Sequence, residues 1–255
     1  MLQLNRAELF LHGDRELTSQ EKKHFLTMLE QRIQGRPMQY ILGRTSFWSR
    51  DFHVTPDVLI PRPETEFVLE QALAVIRSCW PDTSGLALLD LGTGSGVIAD
   101  VLAGELGCSV VGTDISRAAL LVAEQNIAEH GLNDRVSLLC ADMFSAFAPE
   151  TRFDAIVANL PYVETDCRDQ LDSEVVGFEP GLALFAGRDG LDCYRRCIAE
   201  AGEFLVPGGW LMLEIGAAQK EAIERLFAGH GFVNIAVRAD YGGLPRFACG
   251  QKGLA

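Results

Sequence analysis

LALLDLGTGSG, residues 86–96, joins a short apolar run to a turn with glycines at 92, 94 and 96. The run has the length and composition of a buried strand, and Asp90 and Gly92 close it. Glycine lets the backbone approach a ligand closely, and the N–H groups of a helix start face that ligand. A dinucleotide-binding loop needs GxGxxG, but here the spacing is GxGxG and Val97 stands where the third glycine would be. A Walker loop needs GxxxxGK[ST], which is absent. The stretch is a nucleotide-type loop that fits neither NAD nor ATP well.

Downstream, helical and strand-like segments alternate. A helix is expected over 97–106, then a strand in CSVVGTD (108–114) and a helix over 116–130. RVSLLCAD (135–142) and FDAIVAN (153–159) read as strands, 189–205 as a helix, GWLMLEIG (209–216) as a strand and 217–229 as a helix. The tail, GFVNIAVRADYGGLPRFACG, reads as two strands around a turn-rich link. Such alternation implies an α/β fold with a parallel sheet covered on both faces. Upstream, Thr18-Ser19-Gln20-Glu21 has the N-cap hydroxyl and first-turn acid of a helix start. Phe25, Leu26, Leu29 and Ile33 follow at helical spacing, and Gly35-Arg36-Pro37 stops the helix. Residues 39–54, rich in aromatics and β-formers, predict a short hairpin or an extended linker. IPRPETE (60–66) leads into a helix from about Thr65 to Cys79. The expected organisation is a small helical domain at 1–45, a hairpin or linker at 46–64, and a Rossmann-like domain at 65–255.

The bulk properties narrow the function. A chain of 255 residues suits one large domain, or one with a small appendage. Its 48% hydrophobic and 22% charged residues are those of an ordinary globular protein. No stretch approaches the ~20 apolar residues needed to span a bilayer. The start, MLQLNRAELFLHGDRE, lacks the basic and apolar blocks of a secretory signal, so a cytoplasmic, membrane-free location is expected. The net charge of −13 argues against a nucleic-acid binder and favours a protein, peptide or small-molecule partner. Seven cysteines form no CxxC. Cys193 and Cys197 could share a helix face, but no metal site is expected, and the thiols read as reduced and mostly buried.

Three further groups lie at expected strand ends, where open parallel sheets bind ligands. Asp114, 20 residues past Gly94, is placed to accept from the hydroxyls of a ribose. Asp142 could accept from an adenine amino group while Met143 packs the ring. After the fourth strand comes Asn159-Leu160-Pro161-Tyr162.

This set resembles the S-adenosylmethionine-dependent methyltransferases of the seven-stranded Rossmann-like class. There, an [ND]-x-P-[YF] tetrapeptide marks enzymes that methylate nitrogen in a planar, conjugated group. Such a nitrogen is a poor nucleophile because its lone pair is delocalised. The Asn159 side-chain oxygen and the Leu160 carbonyl could both accept from the target NH2, fixing its orientation as the methyl arrives. Pro161 would stiffen the loop and Tyr162 would offer a flat face.

With FWSRDFHVTPDVLIPRPETE (47–66) ahead of the glycine loop and FEPGLAL (178–184) after NLPY, the chain resembles the HemK/PrmC family from about residue 5 to 250. The resemblance implies methylation of the side-chain amide nitrogen (N5) of the glutamine in the GGQ motif of peptide chain release factors, by a monomeric enzyme. S-adenosylmethionine would be consumed and S-adenosylhomocysteine released. It implies that Asp90, Gly92, Thr93, Gly94, Ser95 and Gly96 line the cofactor loop, that Asp114 holds the ribose, and that Asp142 and Met143 flank adenine. Asn159 to Tyr162 would bind the glutamine amide. Arg62, Pro63 and Glu66 would sit over the methionine end or brace the pocket, and Glu179 would brace the NLPY loop. Two features depart from the family pattern. Leu160 stands where NPPY has its first proline, and the N-terminal helical region is shorter than usual, as though the chain starts partway through it. The alternatives are a ribosomal-protein glutamine methyltransferase, which RPETE argues against, and an rRNA or DNA adenine methyltransferase, which the charge argues against. A non-catalytic cofactor-binding protein is a third, which the intact Asn159 and Tyr162 argue against.

Overall fold

The chain is described by a computed structural model at residue 4 and residues 6–254. The outermost residues of the first and last expected domains lie outside the described residues. Three helices come first: α1 (Arg6–Leu11), α2 (Ser19–Ile33) and α3 (Met38–Leu42). Local signals make α2. The Thr18 hydroxyl accepts from the Glu21 N–H, and the Glu21 carboxylate accepts from the Thr18 N–H, closing a capping box. Gly35 ends it at φ +87°, a left-handed conformation that favours glycine. The apolar stripe Phe25, Leu26, Leu29 and Ile33 is present but remains 41–77% exposed.

The expectation of hairpin or linker over 39–54 is met by both a helix and a hairpin. Residues up to Leu42 belong to α3, and β1 (Arg44–Phe47) then pairs antiparallel with β2 (Arg50–His53). The turn residues Trp48 and Ser49 have φ of +51° and +57°, the pair of positive angles that a tight hairpin turn requires. Neither is a residue that favours this conformation, and the Glu66 carboxylate holds the turn by accepting from the Trp48 N–H at 2.6 Å.

The larger part contains α4 (Pro63–Cys79), β3 (Ala87–Leu91), α5 (Val97–Leu106), β4 (Ser109–Asp114), α6 (Arg117–Glu129), β5 (Val136–Cys140) and β6 (Phe153–Ala158). Then follow α7 (Ser173–Phe178), α8 (Asp192–Phe204), β7 (Leu205–Glu214), α9 (Lys220–Gly229), β8 (Phe232–Ala239) and β9 (Pro245–Lys252). Among the described residues one sheet has seven strands in the order β5-β4-β3-β6-β7-β9-β8. The strands from β5 to β7 are parallel, whereas β9 runs antiparallel to both β7 and β8. The sheet is therefore mixed, not wholly parallel as the alternation implied. A short link cannot join parallel strands. The turn after β8 is fixed by the Asp240 carboxylate, which accepts from the N–H groups of Gly242 and Leu244.

Neighbouring strand residues face opposite sides of the sheet. Leu88 joins the core under α4 and α5 with Val68, Leu69 and Val101, while Leu89 joins the core under α8 and α9 with Tyr194, Ile198 and Phe227. Both faces are covered, which is why the inner strands β3, β6 and β7 are mostly apolar, with Asp90, Asp154 and Glu214 as exceptions. Of the cysteines, Cys108, Cys197 and Cys249 are buried, Cys167 and Cys193 half-buried, and Cys79 and Cys140 exposed, so fewer are buried than expected. No helix among the described residues is long and apolar enough to cross a membrane.

Polar groups bind the hairpin to the larger part. The fully buried Asn126 of α6 accepts from the His53 N–H at 2.7 Å and donates to the carbonyls of His53 (3.1 Å) and Ser95 (2.8 Å). Arg50 donates to Asp100 at 2.6 Å, and His130 Nδ1 lies 2.7 Å from the other Asp100 oxygen. Asn126 thus joins β2 to the glycine loop. Asn126→Ala leaves these backbone groups without partners in a buried place, and we expect a loss of about 2–3 kcal/mol in urea unfolding. A loss under about 0.5 kcal/mol would show that water or relaxation replaces the link.

Candidate active site

The carboxyl ends of β3, β4 and β6 lie side by side and open on a cavity of about 300 Å³. The glycine loop forms one wall. The N–H groups of Gly92 and Thr93 both donate to the Thr113 carbonyl at 2.8 Å, and the Gly94 N–H donates to the Asp114 carboxylate at 2.9 Å. The three glycines serve different ends. A Cβ on Gly94 would meet nothing within 4 Å, so that position opens on free space. A Cβ on Gly92 would lie 3.2 Å from Leu160 Cδ2, so the loops after β3 and β6 touch there. Gly92, Thr93, Gly94 and Ser95 line the cavity. Gly96 does not. A Cβ there would lie 3.1 Å from Ala123 Cβ, so this glycine lets α5 pack on α6 and begins α5 at φ +84°.

Asp90 lies beneath the loop and is fully buried. Its Oδ2 accepts from the Thr93 hydroxyl and from the Ala99 N–H at 3.0 Å, while its Oδ1 has no hydrogen-bond partner among the described residues. Burial pushes its carboxyl up to about 7, against the lowering effect of those two donors. Asp90 does not line the cavity, so it braces the glycine loop from beneath rather than facing a ligand. Asp114 lines the cavity, and burial raises its carboxyl too. Its oxygens accept from the N–H groups of Gly94 and Ser116, leaving one lone pair on each for further donors.

Asp142 and Met143 line the cavity two and three residues beyond β5. The Asp142 carboxylate pairs with Arg196 of α8 at 3.0 Å, a half-exposed contact of small energy. The sequence reading did not foresee that partner.

Asn159, Leu160 and Pro161, in the neighbouring loop after β6, also line the cavity. The Asn159 amide donates to the Thr65 hydroxyl at 3.1 Å, and that hydroxyl donates to the Glu214 carboxylate at 2.7 Å. Burial pushes the Glu214 carboxyl up to about 7, with the Thr65 hydrogen bond opposing it. Tyr162 sits beside the cavity and packs in the core under α8. Its carbonyl accepts from Gln219 at 3.0 Å, and Gln219 also accepts from the Gly216 N–H, so the tetrapeptide is tied to the end of β7. Burial pushes the Tyr162 hydroxyl up to about 12, aided by the charge of Glu214.

Of the IPRPETE residues, Arg62 lines the cavity and pairs with Glu179, whose side chain is nearly fully buried. Glu179 also accepts from the Ile60 N–H at 3.3 Å, so it braces this segment rather than the NLPY loop. Pro63 begins α4 and is exposed. Glu66 lies outside the cavity wall. One residue past Thr65 on α4 it points elsewhere, to the hairpin turn, and a substrate contact is not where this side chain sits. Thr65, Glu214 and Gln219 were missed. The one local sign was an acid inside the apolar run of LMLEIG.

The arrangement suits a nucleoside carrying a positive charge. It offers the carboxylates of Asp114 and Asp142, a glycine turn open at residue 94, and an amide beside a largely apolar cavity. These groups fit S-adenosylmethionine.

Comparison with known proteins agrees. A family described as "Methyltransferase domain" matches residues 88–176, and one described as "PrmC N-terminal domain" matches residues 1–43. The chain is 39% identical over 252 residues to the release factor glutamine methyltransferase of Koribacter versatilis, spanning 98% of this chain and 87% of that one. It is 42% identical over 245 residues to the protein of the same name from Moorella thermoacetica, spanning 95% and 84%. A methyltransferase structure from Pyrococcus furiosus shares the fold at a TM-score of 0.59 and 17% identity, covering 92% of this chain and 100% of that one.

The buried Asp90 gives a stability test that needs no ligand. Its carboxyl keeps a proton to higher pH when folded than when unfolded, so its contribution to stability declines as pH rises from 3.8 to about 7. Asp90→Asn should remove about 2 kcal/mol of the decline in unfolding free energy between about pH 5 and pH 8. Equal declines in both proteins would show that Asp90 titrates as an ordinary carboxylate.

Proposed function

The chain belongs to the release factor glutamine methyltransferase family, and we propose that it methylates the side-chain amide nitrogen of the GGQ glutamine of peptide chain release factors. The observation that carries this reading is the amide of Asn159, fixed by Thr65 at the rim of a nucleoside-sized cavity and followed by Leu160 and Pro161.

S-adenosylmethionine, when bound, supplies a methyl group on a positively charged sulfur. Asp114 would hold the ribose hydroxyls, Asp142 and Met143 would flank the adenine, and Gly92, Thr93, Gly94 and Ser95, on the loop that Asp90 braces, would hold the rest. The Asn159 side-chain oxygen and the Leu160 carbonyl accept from the two hydrogens of the glutamine NH2. Those two acceptors turn the nitrogen lone pair toward the cavity and favour the shift from planar to tetrahedral nitrogen. The nitrogen would gain a bond to the methyl carbon as that carbon's bond to sulfur breaks, leaving a neutral thioether, and then give up one proton to water. No strong base is required for that loss. Leu160 contributes its carbonyl and, through its side chain, the packing against Gly92, so a proline at this position is dispensable.

Residues 1–45 serve as the substrate-recognition part, 46–64 as the hairpin and linker, and 65–255 as the methyltransferase domain. The partner is a protein, in keeping with the net charge of −13, and the enzyme acts in the cytoplasm as a monomer without contacting nucleic acid.

The deciding experiment offers radiolabelled S-adenosylmethionine with purified release factor, beside a copy whose GGQ glutamine is changed to alanine. Label on the first alone supports the proposal; label on neither, or equally on both, would overturn it. Asn159→Ala should leave cofactor binding within about twofold and lower the rate on the order of 10²-fold or more. Asp114→Ala should weaken cofactor binding by roughly 1–3 kcal/mol, measured by calorimetry. Unchanged affinity would remove Asp114 from the site.

A further inference from the structure

We propose that Thr65 and Glu214 are positioning residues that fix which end of the Asn159 side-chain amide faces the cavity. This rests on the reading of Asn159 as the acceptor for the substrate amide.

The three groups come from α4, β7 and the loop after β6. Thr65 and Glu214 are 2% and 1% exposed, so water does not compete for their hydrogen bonds. A hydroxyl has one proton to donate and two lone pairs, while an ionised carboxylate can only accept. Thr65 therefore donates to Glu214, and its oxygen is left to accept. The neighbour across that oxygen is the Asn159 amide, which must present its NH2 to it. The Asn159 oxygen is then the end left for the substrate. If residue 214 could donate, the Thr65 proton would be released toward Asn159, and the amide could turn. An NH2 group would then face the NH2 of the substrate, two donors with no acceptor between them.

The charge on Glu214 sets this polarity, so its surroundings matter. Glu64 and Thr65 face it from α4, Arg62 from the residue before that helix, Tyr162 from the NLPY loop, and Arg246 from β9. From α8, the Tyr194 hydroxyl donates to the Glu214 backbone carbonyl at 2.7 Å. Burial dominates, and it brings the carboxyl up to about 7. The carboxyl is neutral below that value and ionised above it, so the amide is held in the accepting orientation above it and the rate falls as pH drops through it.

The test measures kcat for methyl transfer to full-length release factor, at saturating S-adenosylmethionine, across a pH series that brackets about 7. Saturation removes the titration of Asp90 from the readout where it acts on cofactor binding. Wild type should show a fall in kcat on the acid side. Thr65→Val, similar in shape but without a hydroxyl, should lose on the order of tenfold in kcat. Its KM for cofactor should stay within about twofold, and its acid-side fall should vanish. Thr65→Ser, which keeps the hydroxyl, should recover most of the loss and regain the acid-side fall. Glu214→Gln should be slow and flat with pH; if that variant does not fold, the two Thr65 variants decide the matter. A Thr65→Val enzyme that keeps its rate and acid-side fall overturns the relay. A loss that serine does not restore, with the acid-side fall intact, shows a merely structural role and also overturns it. Asn159→Ala separates the two readings. If it is inactive while Thr65→Val is normal, the relay is wrong and the acceptor role stands. If it turns over normally, both fall.

Discussion

A side-chain carbon on residue 92 would lie 3.2 Å from Leu160 Cδ2, and the geometry of the whole site depends on its absence. β3 and β6 are parallel neighbours, with Leu91 opposite Ala158. Their chains leave the sheet at the same level, so the two loops that follow must share the space above one sheet edge. At Gly92 one loop has no side chain, and Leu160 from the other closes over it, 4% exposed. The glycine turn and NLPY are thereby held at a fixed separation. Backbone groups of the first loop and the Asn159 amide of the second then face one cavity.

A second set of contacts brings earlier parts of the chain to the same place. Asn126 ties the β2 backbone to the Ser95 carbonyl within the glycine loop. Glu179 ties Arg62 and the Ile60 N–H to the segment after NLPY. Each tie uses a buried polar group whose loss would strand others, a strong form of positional control in a low-dielectric interior. The hairpin and IPRPETE are therefore part of the site's frame, although neither belongs to the sheet.

What could be read in the sequence follows from the range of the forces involved. The glycine spacing and the Thr18 capping box are local, and the structure has them where the residues imply; the carboxyl ends of β3 to β7 fall within two residues of expectation, β5 closing at Cys140 and β7 at Glu214. Asp114, Asp142, Met143 and Asn159 all line the cavity because parallel strands deliver their carboxyl ends to one edge. The misses are long-range or lack a period. The Thr65–Glu214 and Asn159–Thr65 contacts join residues 149 and 94 positions apart, and no spacing encodes them. The family resemblance assigns Glu66 to the pocket, but helical geometry turns it to the Trp48 turn. The short helix α7 and the turns around it show no apolar repeat, and the sequence reading left that region without structure. Phe25, Leu26, Leu29 and Ile33 did predict a helix. Their exposure shows that periodicity reports helix formation without reporting what the stripe packs against.

Two carboxylates in the site, Asp90 and Glu214, are buried with their acidities weakened to about the same value, near 7. Among the described residues neither is matched by a full ion pair, so each is an energetic burden on the folded state at neutral pH. Their hydrogen bonds offset only part of that burden. Asp90 has two donors on one oxygen and none on the other, and Glu214 has a single hydroxyl donor on its carboxylate. An apolar residue at either place would remove the burden. It would also remove the acceptor that ties Thr93 to the start of α5 at Asp90 and the fixed polarity of Asn159 at Glu214. Stability and chemistry thus pull these positions in opposite directions, and the strain lies where the sheet edge is most rigid. The central strands β3 and β7 that carry the two acids are buried on both faces, so they can hold a destabilised charge without moving to relieve it.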